Sequence, residues 1–115
     1  MDIIMIGAPS RKRDNLLSML ESIDLPLTIR SVESCKGAIE IINQNKPETV
    51  FIDCRDPEPE NEKEIGKLIL NQAVNFVVLL VSRKGLRSHF THYSSCELIY
   101  DEVTIEVLSN LLINI

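Results

Sequence analysis

Lys46-Pro47-Glu48-Thr49-Val50-Phe51-Ile52-Asp53-Cys54-Arg55-Asp56-Pro57 is the stretch that decides how this chain folds. Between its two prolines lies a run of β-branched and aromatic residues, the composition of a strand buried on both faces. The run predicts a strand over Thr49–Asp53, and its last residue is a carboxylate. In open α/β sheets, ligands and chemistry sit outside the carboxyl ends of the strands, so Asp53 is placed as a reactive group would be. Ile3-Ile4-Met5-Ile6, the run expected beside it, leads into Gly7-Ala8-Pro9 and brings no further acid. A lone carboxylate holds Mg²⁺ poorly, because that ion demands an octahedral shell of oxygens.

Outward from this stretch, short β-type runs alternate five times with segments of helical spacing, the pattern of a parallel sheet with helices on both faces. Strand Asp2–Ile6 precedes a helix over about Lys12–Ile23, with Ser10 as its cap and Leu16, Leu17, Met19, Leu20 and Ile23 at core spacing. The more polar run Leu27–Val32 suits an edge strand. Ser34 then caps a second helix, Cys35–Asn45, which turns Ala38, Ile39, Ile41 and Ile42 inward and stops at Lys46-Pro47. Beyond Asp53, Pro57 and Pro59 stiffen an acidic loop over Asp56–Glu60, and a third helix is expected over Glu62–Gln72. Phe76–Val81 is continuously apolar, as a central parallel strand should be. A short polar fourth helix is expected within Arg83–Ser95, then strand Glu97–Tyr100 and a fifth helix over Val103–Asn114. Ile105, Val107, Leu108, Leu111, Leu112 and Ile115 give that helix a broad apolar face, whereas Ile113 falls outside it and predicts a covered end.

The chain has 115 residues, the size of one domain with a core that needs no disulfide or metal staple, so residues 1–115 are expected to form a single unit. No apolar run approaches the roughly 20 residues that span a bilayer, and Arg11-Lys12-Arg13 follows the first apolar run instead of leading it, unlike a signal peptide. A cytoplasmic protein without membrane contact is expected. The net charge of −5 repels nucleic acid, and with no Trp and few other aromatics there is no base-stacking platform, so direct nucleic-acid binding is not expected. Cys35, Cys54 and Cys96 are odd in number and widely spaced, which predicts reduced thiols and no disulfide framework.

This order of elements, and the residues at their ends, resemble the receiver domain of two-component response regulators over essentially the whole chain. Pro47-Glu48-Thr49-Val50-Phe51-Ile52-Asp53-Cys54-Arg55-Asp56-Pro57 matches the family's Pro-acid-x-apolar-x-x-Asp-x-x-x-Pro frame and sets Asp53 at its phospho-acceptor position. Pro9 and Arg13 fall in register with a proline and a basic residue that follow the family's first strand, and Ser82, or Val81 with a one-residue shift, lies at the hydroxyl switch position at the end of the fourth. The resemblance implies an α/β fold, (βα)5, with a doubly wound five-stranded parallel sheet in the flavodoxin-like order 2-1-3-4-5. Three departures stand out. Gly7 and Ala8 replace the acidic pair that binds Mg²⁺ with the acceptor, and Asp101 stands where the family has a lysine that contacts the phosphoryl oxygens.

Phosphoryl transfer depends on a metal and on fixed positive charge to stabilise the transferred group. Gly7 and Ala8 supply no ligand and Asp101 reverses a charge, so the resemblance is to a degenerate pseudo-receiver with no catalytic residue, metal or cofactor. Its expected work is protein contact, independent of phosphorylation, with a protein partner, a covalently linked effector such as the output domain of a transcription regulator, or a second copy in a homodimer. In receivers the fourth helix, fifth strand and fifth helix form such a surface, which points here to Tyr93, Tyr100 and Asp101. Arg11, Lys12, Arg13, Arg55, Arg83, Lys84 and Arg87 follow strands whose ends adjoin in that order, and one of them is expected to pair with Asp53; most of the rest form a solvated rim.

The alternative is a working phospho-acceptor at Asp53 whose Mg²⁺ is held by Asp56 or Glu58. His89, His92 and Cys96 share one face only if a helix runs unbroken into the fifth strand, so a zinc site is set aside. A flavin-binding protein is disfavoured, since Gly7-Ala8-Pro9-Ser10 is no phosphate cradle and no aromatic is placed to sandwich a flavin.

Overall fold

Ile3, Ile4, Met5 and Ile6 are at most 1% exposed, burial on both faces that only a central strand gives. In the computed structural model, residues 1–54, 66, 67, 70, 76–81, 96–100 and 103–114 are described. Their strands are β1 (Asp2–Ile6), β2 (Thr28–Val32), β3 (Thr49–Cys54), β4 (Phe76–Val81) and β5 (Cys96–Tyr100). All neighbours pair in parallel, in the order β2-β1-β3-β4-β5. Three helices are described: α1 (Arg11–Ser22), α2 (Cys35–Asn45) and α3 (Ile105–Ile113). Gly66 and Lys67 are helical, within the helix expected over 62–72; the remainder of that helix and the whole of the one expected within 83–95 lie outside the described residues.

Side-chain caps set the helix starts. Ser10 is extended, and its hydroxyl accepts from the Arg13 N–H at 3.0 Å; Ser34 accepts from Gly37 at 3.1 Å and Thr104 from Val107 at 3.2 Å. α2 stops at Lys46, which adopts left-handed backbone (φ 45°) and donates its N–H to the Ile42 carbonyl at 2.8 Å. The following Pro47 bars a right-handed continuation.

The chain moves from β1 out to β2, then crosses back past β1 to β3. Right-handed crossovers therefore put α1 and α2 on opposite faces and leave a switch point between β1 and β3. On the α1 face, Ile3, Met5, Phe51, Val78 and Leu80 pack with Leu16, Leu20 and Ile23 and with Leu108 and Leu112 of α3. α2 packs on β1 and β2 and buries Cys35, Ala38 and Ile42, where Ile39 and Ile41 are only partly covered. β2 lies at the sheet edge, and none of its residues is fully buried.

α3 buries a narrower face than its sequence suggests. Leu108 and Leu112 are 0% and 2% exposed, but Ile105, Val107 and Ile113 are 46%, 42% and 64% exposed. At roughly 100° per residue, Val107 and Ile113 fall about 120° to either side of the Leu108–Leu112 row. Ile105 sits in the first turn, where side chains lean toward the helix N-terminus and past its end.

Candidate functional site

The row of side chains that runs up β1 through Ile3 and Met5 continues at Gly7, and the row on β3 through Phe51 continues at Asp53. Ile6 pairs with Ile52, so Gly7 and Asp53 are the next neighbours, at the carboxyl end of the sheet and at its switch point. Asp53 is 5% exposed, a carboxylate that the strand pairing of β3 with both β1 and β4 holds in place. The Gly7 N–H donates to the Val32 carbonyl at 2.9 Å, which extends the β1–β2 ladder to the end of the site.

Gly7 is a close backbone approach. A Cβ built there would stand 3.1 Å from the Asp53 Cβ and 3.7 Å from both Cγ and Cδ of Arg13. Arg13 reaches this point from the first turn of α1, the turn that the Ser10 cap fixes. Its Nη1 donates to the Gly7 carbonyl at 3.3 Å and its Nη2 to Asp14 Oδ1, also at 3.3 Å. The Arg13 side chain is 17% exposed, and its Nε is shut off from solvent with no acceptor. Among the cations that follow the strands, Arg13 is thus brought against Gly7. Its ion pair is with Asp14. Arg11 and Lys12 on the same turn are exposed. The sequence offered these three cations in a row, and the signal that singles out Arg13 is its place three residues after the capping serine.

Among the described residues, the donors do not fit the Mg²⁺ that a receiver-like site implies. Gly7 and Ala8 bring no carboxylate, the Gly7 carbonyl already accepts Arg13, and the Arg13 stem fills the space above Gly7. Among the described residues, no three His, Cys, Asp or Glu side chains converge on a metal position. Cys96 opens β5, so no helix carries it on one face with His89 and His92, which lie outside the described residues. Ser82, Tyr93 and Asp101 also lie outside them, as do Arg55, Asp56, Glu58, Arg83, Lys84 and Arg87. Tyr100 ends edge strand β5, with its backbone paired to Val81.

At the opposite end of β3, Glu48 has a role the sequence did not announce. Its carboxylate accepts the Asp2 N–H while its own N–H donates to the Asp2 carbonyl at 3.0 Å, which ties the starts of β1 and β3 together. That backbone hydrogen bond, helped by the nearby N-terminal charge, holds the Glu48 carboxyl below its ordinary value of 4.5 against a smaller opposing effect of burial. The available signal was an acid directly after Pro47 at the head of a strand. A recess lined by Leu20, Glu21, Ile23, Leu25, Leu27 and Ile29 lies toward the other end of α1 and contains one titratable side chain, Glu21.

No protein-family model and no curated protein matches the sequence. Solved structures do match in shape. A CheY-like response regulator receiver domain protein from Methanospirillum hungatei JF-1 superposes with a TM-score of 0.72 at 17% identity, over 96% of this chain and 89% of that one. A two-component transcriptional regulator AraC from Clostridium phytofermentans ISDg gives 0.70 at 13% identity, over 99% and 90%. At such identities the likeness establishes the fold: this chain is a parallel α/β sheet domain built as CheY-like receivers are.

Proposed function

We propose that this chain is a receiver-like signalling domain that acts by protein contact and without phosphorylation. The observation that carries the reading is the pairing of a buried Asp53, at the acceptor position of the fold, with a glycine and an arginine stem where metal-binding acids would stand. Position is kept and chemistry is not. A transferred phosphoryl group there would lack the metal that normally neutralises it, and preorganised charge usually contributes more to such catalysis than any other effect. The domain therefore turns nothing over; it presents a surface. In this reading the (βα)5 complement is complete, with helices over 62–72 and within 83–95, and the protein is cytoplasmic. The contact surface lies around β5, with Tyr93, Tyr100 and Asp101, and extends to the exposed Val107 and Ile113 of α3. One of the structural relatives is a transcriptional regulator, which supports an effector domain as the covalently linked partner; a homodimer through the same face is the other form of contact.

The test is the intact mass of the protein after incubation with acetyl phosphate and Mg²⁺, beside Asp53→Ala and a phosphorylatable receiver treated in parallel. No adduct on the wild type, with the control labelled, is the expected result. An adduct that Asp53→Ala loses would make this a working phospho-acceptor whose metal ligands include Asp56 or Glu58.

A further inference from the structure

β2 is an open edge of the sheet, and its hydrogen-bond phase is fixed at both ends. The Thr28 N–H donates to the Met1 carbonyl at 2.9 Å and the Val32 carbonyl accepts the Gly7 N–H at 2.9 Å, so Thr28, Arg30 and Val32 turn their backbone groups toward β1. Backbone groups alternate along a strand, so the N–H and carbonyl of Ile29 and of Ser31 point to the open side, where no described strand pairs with them. The strand Thr28-Ile29-Arg30-Ser31-Val32 has no proline, and Arg30, exposed at its centre, is its one charged side chain. An edge of this kind templates a further strand unless charge prevents it.

We propose that the β2 edge is a strand-addition site that accepts an extended protein segment carrying an acid opposite Arg30 and rejects a second copy of this chain. It lies across the sheet from the β5 face. A second copy would pair antiparallel about a two-fold axis. The register that uses the whole of β2 sets Ile29 against Ser31 of the other copy and Ser31 against its Ile29, each pair exchanging both backbone hydrogen bonds, and puts Arg30 directly opposite itself. Like charges so placed, with Cα atoms about 4.5 Å apart, are destabilising. A slip in one direction asks for the Leu27 N–H, which already donates to the Leu25 carbonyl at 2.8 Å; a slip in the other runs past Val32 into Glu33, where the strand has ended. An acid opposite Arg30 turns the same register from repulsive to attractive. For charges about 5 Å apart that change of sign is worth roughly tenfold in affinity even at the dielectric of water.

The chain serves as its own probe, because Arg30→Glu presents the same strand with an acid at the required position. Dissociation constants are measured by sedimentation equilibrium for the wild type, for Arg30→Glu and for their mixture, with circular dichroism melts to establish that each variant is folded. The mixture is expected to associate roughly tenfold more tightly than either protein alone, and amide hydrogen exchange at Ile29 and Ser31 is expected to slow in the mixture only. Ser31→Pro removes an outward N–H and no bond to β1, so on either partner it is expected to weaken the mixture roughly fivefold or more. Equal association in all three samples, no association in the mixture, or association that leaves both amides exchanging freely overturns the proposal. Where Ser31→Pro does not fold, the exchange at Ile29 and Ser31 decides by itself. A dimer through the β5 face leaves these amides unprotected, and a phosphoryl adduct on Asp53 sinks the functional reading alone, so the failures are distinguishable.

Discussion

Gly7 and Asp53 approach each other so closely that a single methyl group decides the sign of a mutation. The Gly7 backbone is not left-handed, so alanine there should gain roughly 0.4–1 kcal/mol by restricting the unfolded chain. Against this stands a Cβ contact of 3.1 Å with the Asp53 Cβ, on a strand paired from both sides and unable to retreat. Overpacking of that kind costs about 1–3 kcal/mol, and it wins: Gly7→Ala is expected to lower stability by a net ~1–2 kcal/mol, measured by urea titration. Thr49 behaves in the opposite sense. It is fully buried in β3 and its hydroxyl has no hydrogen-bond partner, which leaves the desolvation cost of that group uncompensated. Thr49→Val keeps the shape and removes the hydroxyl, so it should stabilise the protein by about 1 kcal/mol in the same titration. A loss of stability would mean that the hydroxyl is satisfied in solution.

Between elements, the contacts that matter most are those that hold β1 and β3 together at their two ends. Gly7 and Asp53 meet at the carboxyl end; at the other end Glu48 bonds to both the N–H and the carbonyl of Asp2. The Glu48 carboxyl is held below 4.5 by the Asp2 N–H, so its contribution is fully present above that value and is lost as pH falls through the lowered one. Glu48→Gln should therefore be less stable than the wild type at pH 6, and the gap should close as pH falls below about 4. Solvent screening of this partly exposed group limits the gap to less than about 1 kcal/mol, measured as the difference in urea midpoints across pH. A gap that widened on acidification would refute the assignment. Among the helices, α3 shows the same division of labour: Leu108 and Leu112 hold it to the sheet, whereas Ile113 faces outward and is free to serve a partner.

For the whole molecule, the reading turns on what its native state binds. A site with a millimolar dissociation constant would add about 1.4 kcal/mol of stability in about 10 mM Mg²⁺, because a ligand that binds only the folded form stabilises it by mass action. The wild-type unfolding free energy is instead expected to be the same in Mg²⁺ and in chelator, to within about 0.3 kcal/mol, once ionic strength is matched. A clear rise with Mg²⁺ would show that acids elsewhere complete a metal site around Asp53.

The order of elements was legible because burial leaves a periodic trace. Ile3–Ile6 and Phe76–Val81 are apolar throughout, as strands covered on both faces must be, and Ser10 and Ser34 mark helix starts through the chemistry of their own side chains. The place of Asp53 was legible for the same reason, since a strand's end and its last side chain are local facts. What no local pattern carries is which groups from distant parts of the chain converge on that end. Arg13 reads as one of three adjacent cations until the Ser10 cap and the absence of a Cβ on Gly7 bring its stem over the Gly7 backbone. Likewise Val107 and Ile105 are apolar in a helical segment, and only the docking of α3 through Leu108 and Leu112 leaves them outside. The sequence by itself determined the strands, the three described helices and a carboxylate at the mouth of the sheet, because propensity and periodicity act within short windows. Only the tertiary structure decided that Gly7, the Arg13 stem and Asp53 meet at the end of the sheet, because that depends on a packing of β1, β3 and α1 that no short window contains.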